Sequence, residues 1–326
     1  MNASKKILIT GGCGFIGLNL VDYLISKTDW DIFILDNLSV GRKKDLEDIK
    51  NYSKNRISFY KGEILNKKDV EQVICDCDFV VHLAAQTDVI FSVKNPVDDA
   101  RVNILGLLNL LNASVEHKIK RFVFASSAAP LGEQDPPVDE SKVPSPMSPY
   151  GASKLAGEGY CSSYSASFDL SNVVLRFSNV YGLYSFYKGS VIAKFIRQIL
   201  LGEQPIIFGD GNQTRDFIFA SDIAKAVFLS LTVDVPNINN LYQIGTGVEV
   251  SINDLYTMIK KELEKNGYNV LDAIYKKPRK GEIYRNFCSI NKAKNELDFK
   301  PSIKLEEGIE KTVNWFLKYY KKQDTD

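Results

Sequence analysis

A short apolar run, Lys6-Ile7-Leu8-Ile9-Thr10, opens onto seven residues of which four are glycine: Gly11-Gly12-Cys13-Gly14-Phe15-Ile16-Gly17. An apolar pattern of helical period follows through Leu18, Leu20, Val21, Leu24 and Ile25. Strand, glycine turn and helix in direct succession leave few folds open. Gly11, Gly14 and Gly17 stand three apart, which permits a tight turn, close backbone approach to a pyrophosphate and close helix–strand packing. The helix N-terminus then points its free N–H groups at the phosphates. A second apolar run, Asp31-Ile32-Phe33-Ile34-Leu35, ends in Asp36, about 20 residues on, where a ribose-binding acid belongs. Asp36 would accept hydrogen bonds from an adenosine ribose and repel a 2′-phosphate, which favours NAD over NADP. The basic run Arg42-Lys43-Lys44 argues weakly the other way.

The same alternation continues. Strand-like runs recur at 57–60, 79–83, 121–126 and 173–177, with amphipathic helical stretches between them, notably 97–116 and 153–166. That pattern predicts an α/β protein with a Rossmann-type, doubly wound parallel sheet, ligands collecting at the strand C-termini. After Phe177 the pattern loosens, and helical stretches at 191–201, 251–266 and 305–320 suggest a smaller mixed α/β C-terminal substrate domain. The expected division is a dinucleotide domain at 1–178 with a return segment at about 222–247, and a substrate domain at 179–221 and 248–326.

Composition narrows the function class. Of 326 residues, 41 are Lys or Arg and 40 Asp or Glu, so a net charge of +1 gives no reason to expect nucleic acid or an anionic membrane as partner. No apolar run is long enough to span a bilayer, and no signal peptide is evident, so the expectation is cytoplasmic. The five cysteines are odd in number and lack metal-ligand spacing, which suits reduced thiols and no metal site. With only His82 and His117 present, a histidine triad is excluded in practice. His82 ends an apolar strand and reads as structural.

The catalytic candidates are Tyr150, Lys154 and Ser127. Tyr150 and Lys154 lie four apart on one helix face, and an ammonium near a phenol favours the phenolate. The spacing alone is common: Tyr23–Lys27, Tyr184–Lys188 and Tyr256–Lys260 share it. Only Tyr150 follows both a dinucleotide turn and a serine at a strand end, Ser127. The loop between them, 135–149, holds five prolines.

From end to end the chain resembles the extended short-chain dehydrogenase/reductase family, in its NAD-dependent nucleotide-sugar epimerase/dehydratase branch. The matching segments are TGGCGFIG at 10–17, DNLSVG at 36–41, HLAAQ at 82–86, ASS at 125–127 and SPYGASKLAGE at 148–158. LRFSNVYG at 175–182, FGDGNQTRDFIFASD at 208–222 and IGTG at 244–247 complete the series. The resemblance implies that Gly11, Gly14 and Gly17 hold the NAD pyrophosphate and that Asp36, Asn37 and Ser39 hold the adenosine end. It further implies Phe15, Ile16, Glu63, Ile64, Leu83, Ala84, Ala85, Asn103, Ser126 and Phe177 around the cofactor. Lys154 would bond the nicotinamide ribose, while Tyr150 and Ser127 meet the reacting hydroxyl. Asn179, Val191, Arg215, Arg279 and Glu282 would grip the diphosphate and ribose of a nucleotide sugar, with Ile206 and Phe208 against the base. Paired helices at 97–116 and 153–166 would form a homodimer.

Departures from the family pattern bear on the reaction. Relatives that dehydrate carry Asp-Glu directly after the serine; here Ala128 and Ala129 stand there. Glu63 replaces an aspartate expected at the adenine, and Asn286 occupies a position that helps decide whether an N-acetyl group fits. The reading is an NAD-dependent nucleotide-sugar 4-epimerase acting on a UDP-hexose or UDP-N-acetylhexosamine. A 4-dehydrogenase or ketoreductase, a 4,6-dehydratase, an epimerase at another carbon and a non-catalytic dinucleotide sensor remain alternatives at this point.

Overall fold

The computed structural model describes residues 4–50, 56–235, 240–278 and 283–323. Seven strands form the central sheet: β1 (Lys6–Thr10), β2 (Asp31–Asp36), β3 (Ile57–Lys61), β4 (Phe79–His82), β5 (Arg121–Ser127), β6 (Asn172–Phe177) and β7 (Leu241–Ile244). Their order is β7-β6-β5-β4-β1-β2-β3, and every neighbouring pair is parallel. The chain winds outward from β1 in both directions, so this is a Rossmann-type doubly wound fold with its switch point between β1 and β4.

Parity along β1 shows why both faces are covered. Ile7 and Ile9 pack with Leu20, Leu24, Ala224 and Val227, while Leu8 packs with Val80, Leu107, Leu110 and Cys161 on the other side. A strand buried on both faces reads as an unbroken apolar run. The first face is covered by α1 (Phe15–Lys27), the second by α2 (Gly106–Glu116) and α3 (Pro149–Phe168). α3 begins earlier than the apolar pattern suggests. Pro149 occupies its first turn and the Ser148 hydroxyl accepts from the Gly151 N–H at 3.1 Å, which places Tyr150 inside the helix.

The stretch 97–116 reads as one helix but is three pieces: Pro96–Ala100, a π turn at Arg101–Leu105, and α2. Asn103 lies in this π turn, and its side chain holds three other segments, described below. Gly106 lets the turn sit on Ile64, where a Cβ would stand 2.5 Å from the isoleucine side chain. Residues 88–95, which give no pattern in the sequence, hold a short helix, Val89–Lys94, capped by Asp88.

Beyond β6, apart from β7, the strands are only two or three residues long. Asn179–Tyr181 pairs with Phe217–Phe219, and Ile206–Phe208 with Ile274–Lys276, both parallel. Val250–Ser251, Thr214–Arg215 and Arg285–Asn286 form a third small sheet. These surround a separate apolar cluster built by α4 (Val191–Leu200), α6 (Ile252–Lys265) and α7 (Leu305–Gln323), while α5 (Ala220–Thr232) returns to pack beside α1. Among the described residues no helix is long and apolar enough to cross a membrane.

Candidate active site

The glycine turn leaves β1 through Gly11 at φ +71°, a backbone state that suits glycine. A Cβ there would stand 2.7 Å from the Ala84 nitrogen. At Gly17 a Cβ would stand 2.4 Å from the Gly11 carbonyl oxygen, so α1 rests directly on the turn. Gly14 is the N-cap of α1 and lends no side chain to it, and no acidic residue lies in the first turn. The N–H groups at this helix end are therefore aimed outward, a cradle that suits an anion.

The far wall of the cradle is Asp36, buried at the end of β2. Its Oδ2 accepts the Cys13 N–H at 2.9 Å and its Oδ1 the Leu38 N–H at 2.8 Å. Burial raises its pKa and these two backbone donors oppose the rise. Beside it the Asn37 amide donates to Glu63 at 3.2 Å, and the Ser39 N–H donates to the Asn37 side-chain oxygen at 2.9 Å. The Arg42 guanidinium donates to the hydroxyls of Tyr187 (2.7 Å) and Tyr319 (2.9 Å). On the β4 side, the Leu83 N–H donates to the Thr10 carbonyl at 3.1 Å. His82 lies 2.7 Å from the Thr10 hydroxyl, wholly buried, and burial together with Lys154 lowers its pKa to about 3. It is a neutral strut between β1 and β4.

Ser127 ends β5 beside the Tyr150 phenol, whose pKa it lowers, and its hydroxyl accepts the Ala129 N–H at 3.2 Å. Lys154, one turn along α3, donates from Nζ to the Ala125 carbonyl at 2.8 Å and lies 4.8 Å from the Phe124 ring centroid. Burial dominates both ionisable groups. It pushes the Tyr150 phenol up to about 12 against the lowering by Ser127, and pulls the Lys154 ammonium down to about 8. The expectation from spacing was a phenol lowered by its lysine; Nζ is 6.0 Å from the Tyr150 ring centroid, and loss of water outweighs attraction at that range.

The helix that carries the pair is pinned from behind. Glu158 Oε1 accepts from the Ser126 hydroxyl at 2.6 Å and from Arg176 Nε at 2.8 Å, and Oε2 accepts a second Arg176 nitrogen at 2.6 Å. Asn103 ties the neighbouring segment to the same place. It accepts the Gln86 N–H at 2.9 Å and donates to the Gln86 carbonyl at 2.9 Å, Asp99 Oδ1 at 3.0 Å and Ser153 Oγ at 3.2 Å.

Asn179, Val191, Ile206, Phe208 and Arg215 line one cavity of about 190 Å³, although they come from four separate segments. A second cavity of about 480 Å³ shares Phe208 and Gln213 with it and extends to Lys276, Pro278 and Tyr284. Ser127 and Tyr150 line neither. Arg279 and Glu282 lie outside the described residues. Asn286 is in register with Arg215, on the rim of this region. Sequence reasoning did not single out Ser190, Lys194 or Gln213, which line the first cavity too. Ser190 is the N-cap of α4 yet makes no capping bond, and its buried hydroxyl has no partner among the described residues. A serine just before an apolar helical run was the available signal, and it reads as an ordinary cap.

A family model described as GDP-mannose 4,6 dehydratase matches residues 8–312. The chain belongs to the extended short-chain dehydrogenase/reductase family, in its nucleotide-sugar epimerase and dehydratase branch. A putative UDP-glucose 4-epimerase of Methanocaldococcus jannaschii is 43% identical over 314 residues, 95% of this chain and 97% of its own. A UDP-N-acetylglucosamine 4-epimerase from Methanobrevibacter ruminantium, solved with UDP-N-acetylmuramic acid, is 36% identical with a TM-score of 0.89. That match covers 97% of this chain and 99% of the other. The UDP-glucose 4-epimerase of Thermus thermophilus, solved in complex with NAD, is 31% identical with a TM-score of 0.85, covering 96% and 99%.

The dinucleotide end of this family member fits NAD on its own geometry. A cradle closed to any Cβ, an uncapped helix terminus and a backbone-held carboxylate at the end of β2 are the parts that a pyrophosphate and an adenosine ribose require.

Proposed function

We propose that this chain is an NAD-dependent nucleotide-sugar 4-epimerase, acting on a UDP-hexose or UDP-N-acetylhexosamine. The observation that carries the reading is the half-buried Ser127 at the end of β5 beside the buried Tyr150 phenol, with Lys154 one helical turn away and Ala128-Ala129 next in the chain. NAD, when bound, accepts and returns the C4 hydride and sets a cationic ring near Tyr150 that favours its phenolate. Tyr150 takes the proton of the C4 hydroxyl, and Ser127 donates a hydrogen bond to the oxygen as it becomes a carbonyl. Lys154 keeps a donor free for the nicotinamide ribose, since Ala125 takes only one of its three. Once the keto sugar has turned, Tyr150 gives the proton back. Dehydration would need an acid–base pair at C5 and C6, and neither alanine after Ser127 can move a proton.

Asn179, Arg215, the Ser190 hydroxyl and the N-terminus of α4 suit a diphosphate. Val191, Ile206 and Phe208 suit the nucleoside. The sheet with its return through β7 is read as the NAD-binding unit, 1–178 with about 222–247, and 179–221 with 248–326 as the nucleotide-sugar unit. The exposed apolar side chains of Ile90, Val93, Val97 and Leu105 support a homodimer through this face. Light scattering at micromolar concentration would read a dimer, and a monomer would remove that part of the reading.

The test is a panel of UDP-, dTDP-, CDP- and GDP-sugars followed by NMR of the sugar ring in deuterated water. The C4 epimer should form without deuterium at C4, because hydride returns there rather than a solvent proton. A 4-keto-6-deoxy product, or deuterium at C4, would overturn the epimerase.

A further inference from the structure

Asp99 is an acidic residue with no assigned task, and it is fully buried. It sits on the short helix Pro96–Ala100, one step before the π turn; that helix packs on α3, and Asn103, which donates to Asp99, also donates to Ser153, the residue before Lys154. Its Oδ1 accepts from Asn103, but Oδ2 has no hydrogen-bond partner among the described residues. A carboxylate removed from water and left half-satisfied is costly, and a position that keeps one calls for a reason. The ammonium of Lys154 is buried as well, with Ala125 and the Phe124 ring as neighbours, neither of which neutralises it.

We propose that Asp99 is a positioning residue for the reacting pair: a buried counter-charge that holds Lys154 as an ammonium and sets the pH range over which Tyr150 and Lys154 work. The assignment rests on the reading of that pair given above. Asp99 and Glu158 are the carboxyl groups that raise the Lys154 pKa, and Asp99 raises that of Tyr150; Cys161, on α3, is a thiol that burial keeps neutral. Glu158 has Arg176 as its counter-ion, so its charge is largely spent. His82, on β4, is neutral and adds none. Asp99 raises both groups: it favours the charged lysine and disfavours the charged phenolate. The π turn belongs to the same device, since it brings Asn103 round to fix Asp99 through one oxygen and leave the other open.

The sign of the effect follows. Asp99→Asn keeps the shape and the Asn103 bond but removes the charge. The proton on Tyr150 then comes off at lower pH, and so does the proton on Lys154. Both limbs of the kcat profile should move toward acid by about one pH unit or more, while NAD content and nucleotide-sugar KM stay near wild type. A purely structural role would lower activity at every pH and leave the limbs in place. A second readout needs no sugar: the near-ultraviolet tyrosinate band of the NAD-loaded protein, as the difference between each protein and its Tyr150→Phe partner. That midpoint should also move acidward in Asp99→Asn. If the wild type turns over no nucleotide sugar, the epimerase reading falls while this titration still decides Asp99. Coincident midpoints in wild type and Asp99→Asn would overturn the proposal. So would failure of both Asp99→Asn and the smaller Asp99→Ser to accumulate as folded, NAD-loaded protein, because the carboxylate would then be holding the fold.

Discussion

The two halves proposed to hold the ligands are built by different means. At the proposed dinucleotide end, the lining is main chain. Gly11, Gly14 and Gly17 matter for the atoms they lack, and Asp36 is aimed by two backbone N–H groups. At the sugar-nucleotide end, the strands are two or three residues long and the cavity is lined by side chains such as Asn179, Arg215 and Phe208, gathered from loops. A backbone site accepts one ligand and tolerates few sequences. A side-chain site can be re-cut for another sugar without disturbing the sheet beneath it.

This contrast can be broken at its seam first. Tyr150→Phe keeps the ring and removes the ionisable hydroxyl, so turnover should fall roughly 10²–10⁴-fold while NAD content is unchanged. Near-normal turnover in a direct epimerisation assay would end the proposed mechanism. Behind the seam, Glu158→Gln leaves the buried Arg176 without its counter-charge. Denaturant unfolding should show a loss of about 3–5 kcal/mol, and a loss under 1 kcal/mol would mean that water reaches the pair.

Within the backbone half, Gly17→Ala adds one methyl against the Gly11 carbonyl. It should cost about 1–3 kcal/mol, seen by calorimetry as NAD bound about ten- to a hundredfold more weakly. Arg215→Lys makes the opposite kind of change, keeping the charge and losing the planar fork. Nucleotide-sugar KM should rise by about tenfold, some 1.4 kcal/mol, with NAD affinity untouched. If Arg215→Lys weakened NAD as much as the sugar, the two halves would not be separable.

The same division explains what could be read from the chain. Gly11 to Gly17, Asp36 and the strands around them obey local rules: a turn needs glycine, a buried strand is apolar, an acid ends it. Tyr150 and Ser127 were found because two such local signals flank them. Asn103 was implied by resemblance, but the π turn that aims it was hidden, since a bulged helix keeps nearly helical periodicity. Asp99 was invisible, because a carboxylate on a helix is usually solvated and only tertiary packing buries this one. Ile206, Phe208 and Arg215 lie on strands too short to have a period, so nothing local could place them beside Asn179 and Val191.

The hydrogen bond from the Cys13 N–H to Asp36 joins the glycine turn to the carboxylate at the end of β2. On the proposed reading, pyrophosphate grip and ribose choice are thus one mechanical part. Replacing Asp36 to admit a 2′-phosphate would also release the glycine loop that it braces, and Arg42, held by Tyr187 and Tyr319, would not be at hand to receive the new charge. Cofactor preference in this protein is therefore not a single-residue switch. A lineage that moved to NADP would have to pass through forms that hold either cofactor loosely, and that passage protects the preference better than the strength of any one contact.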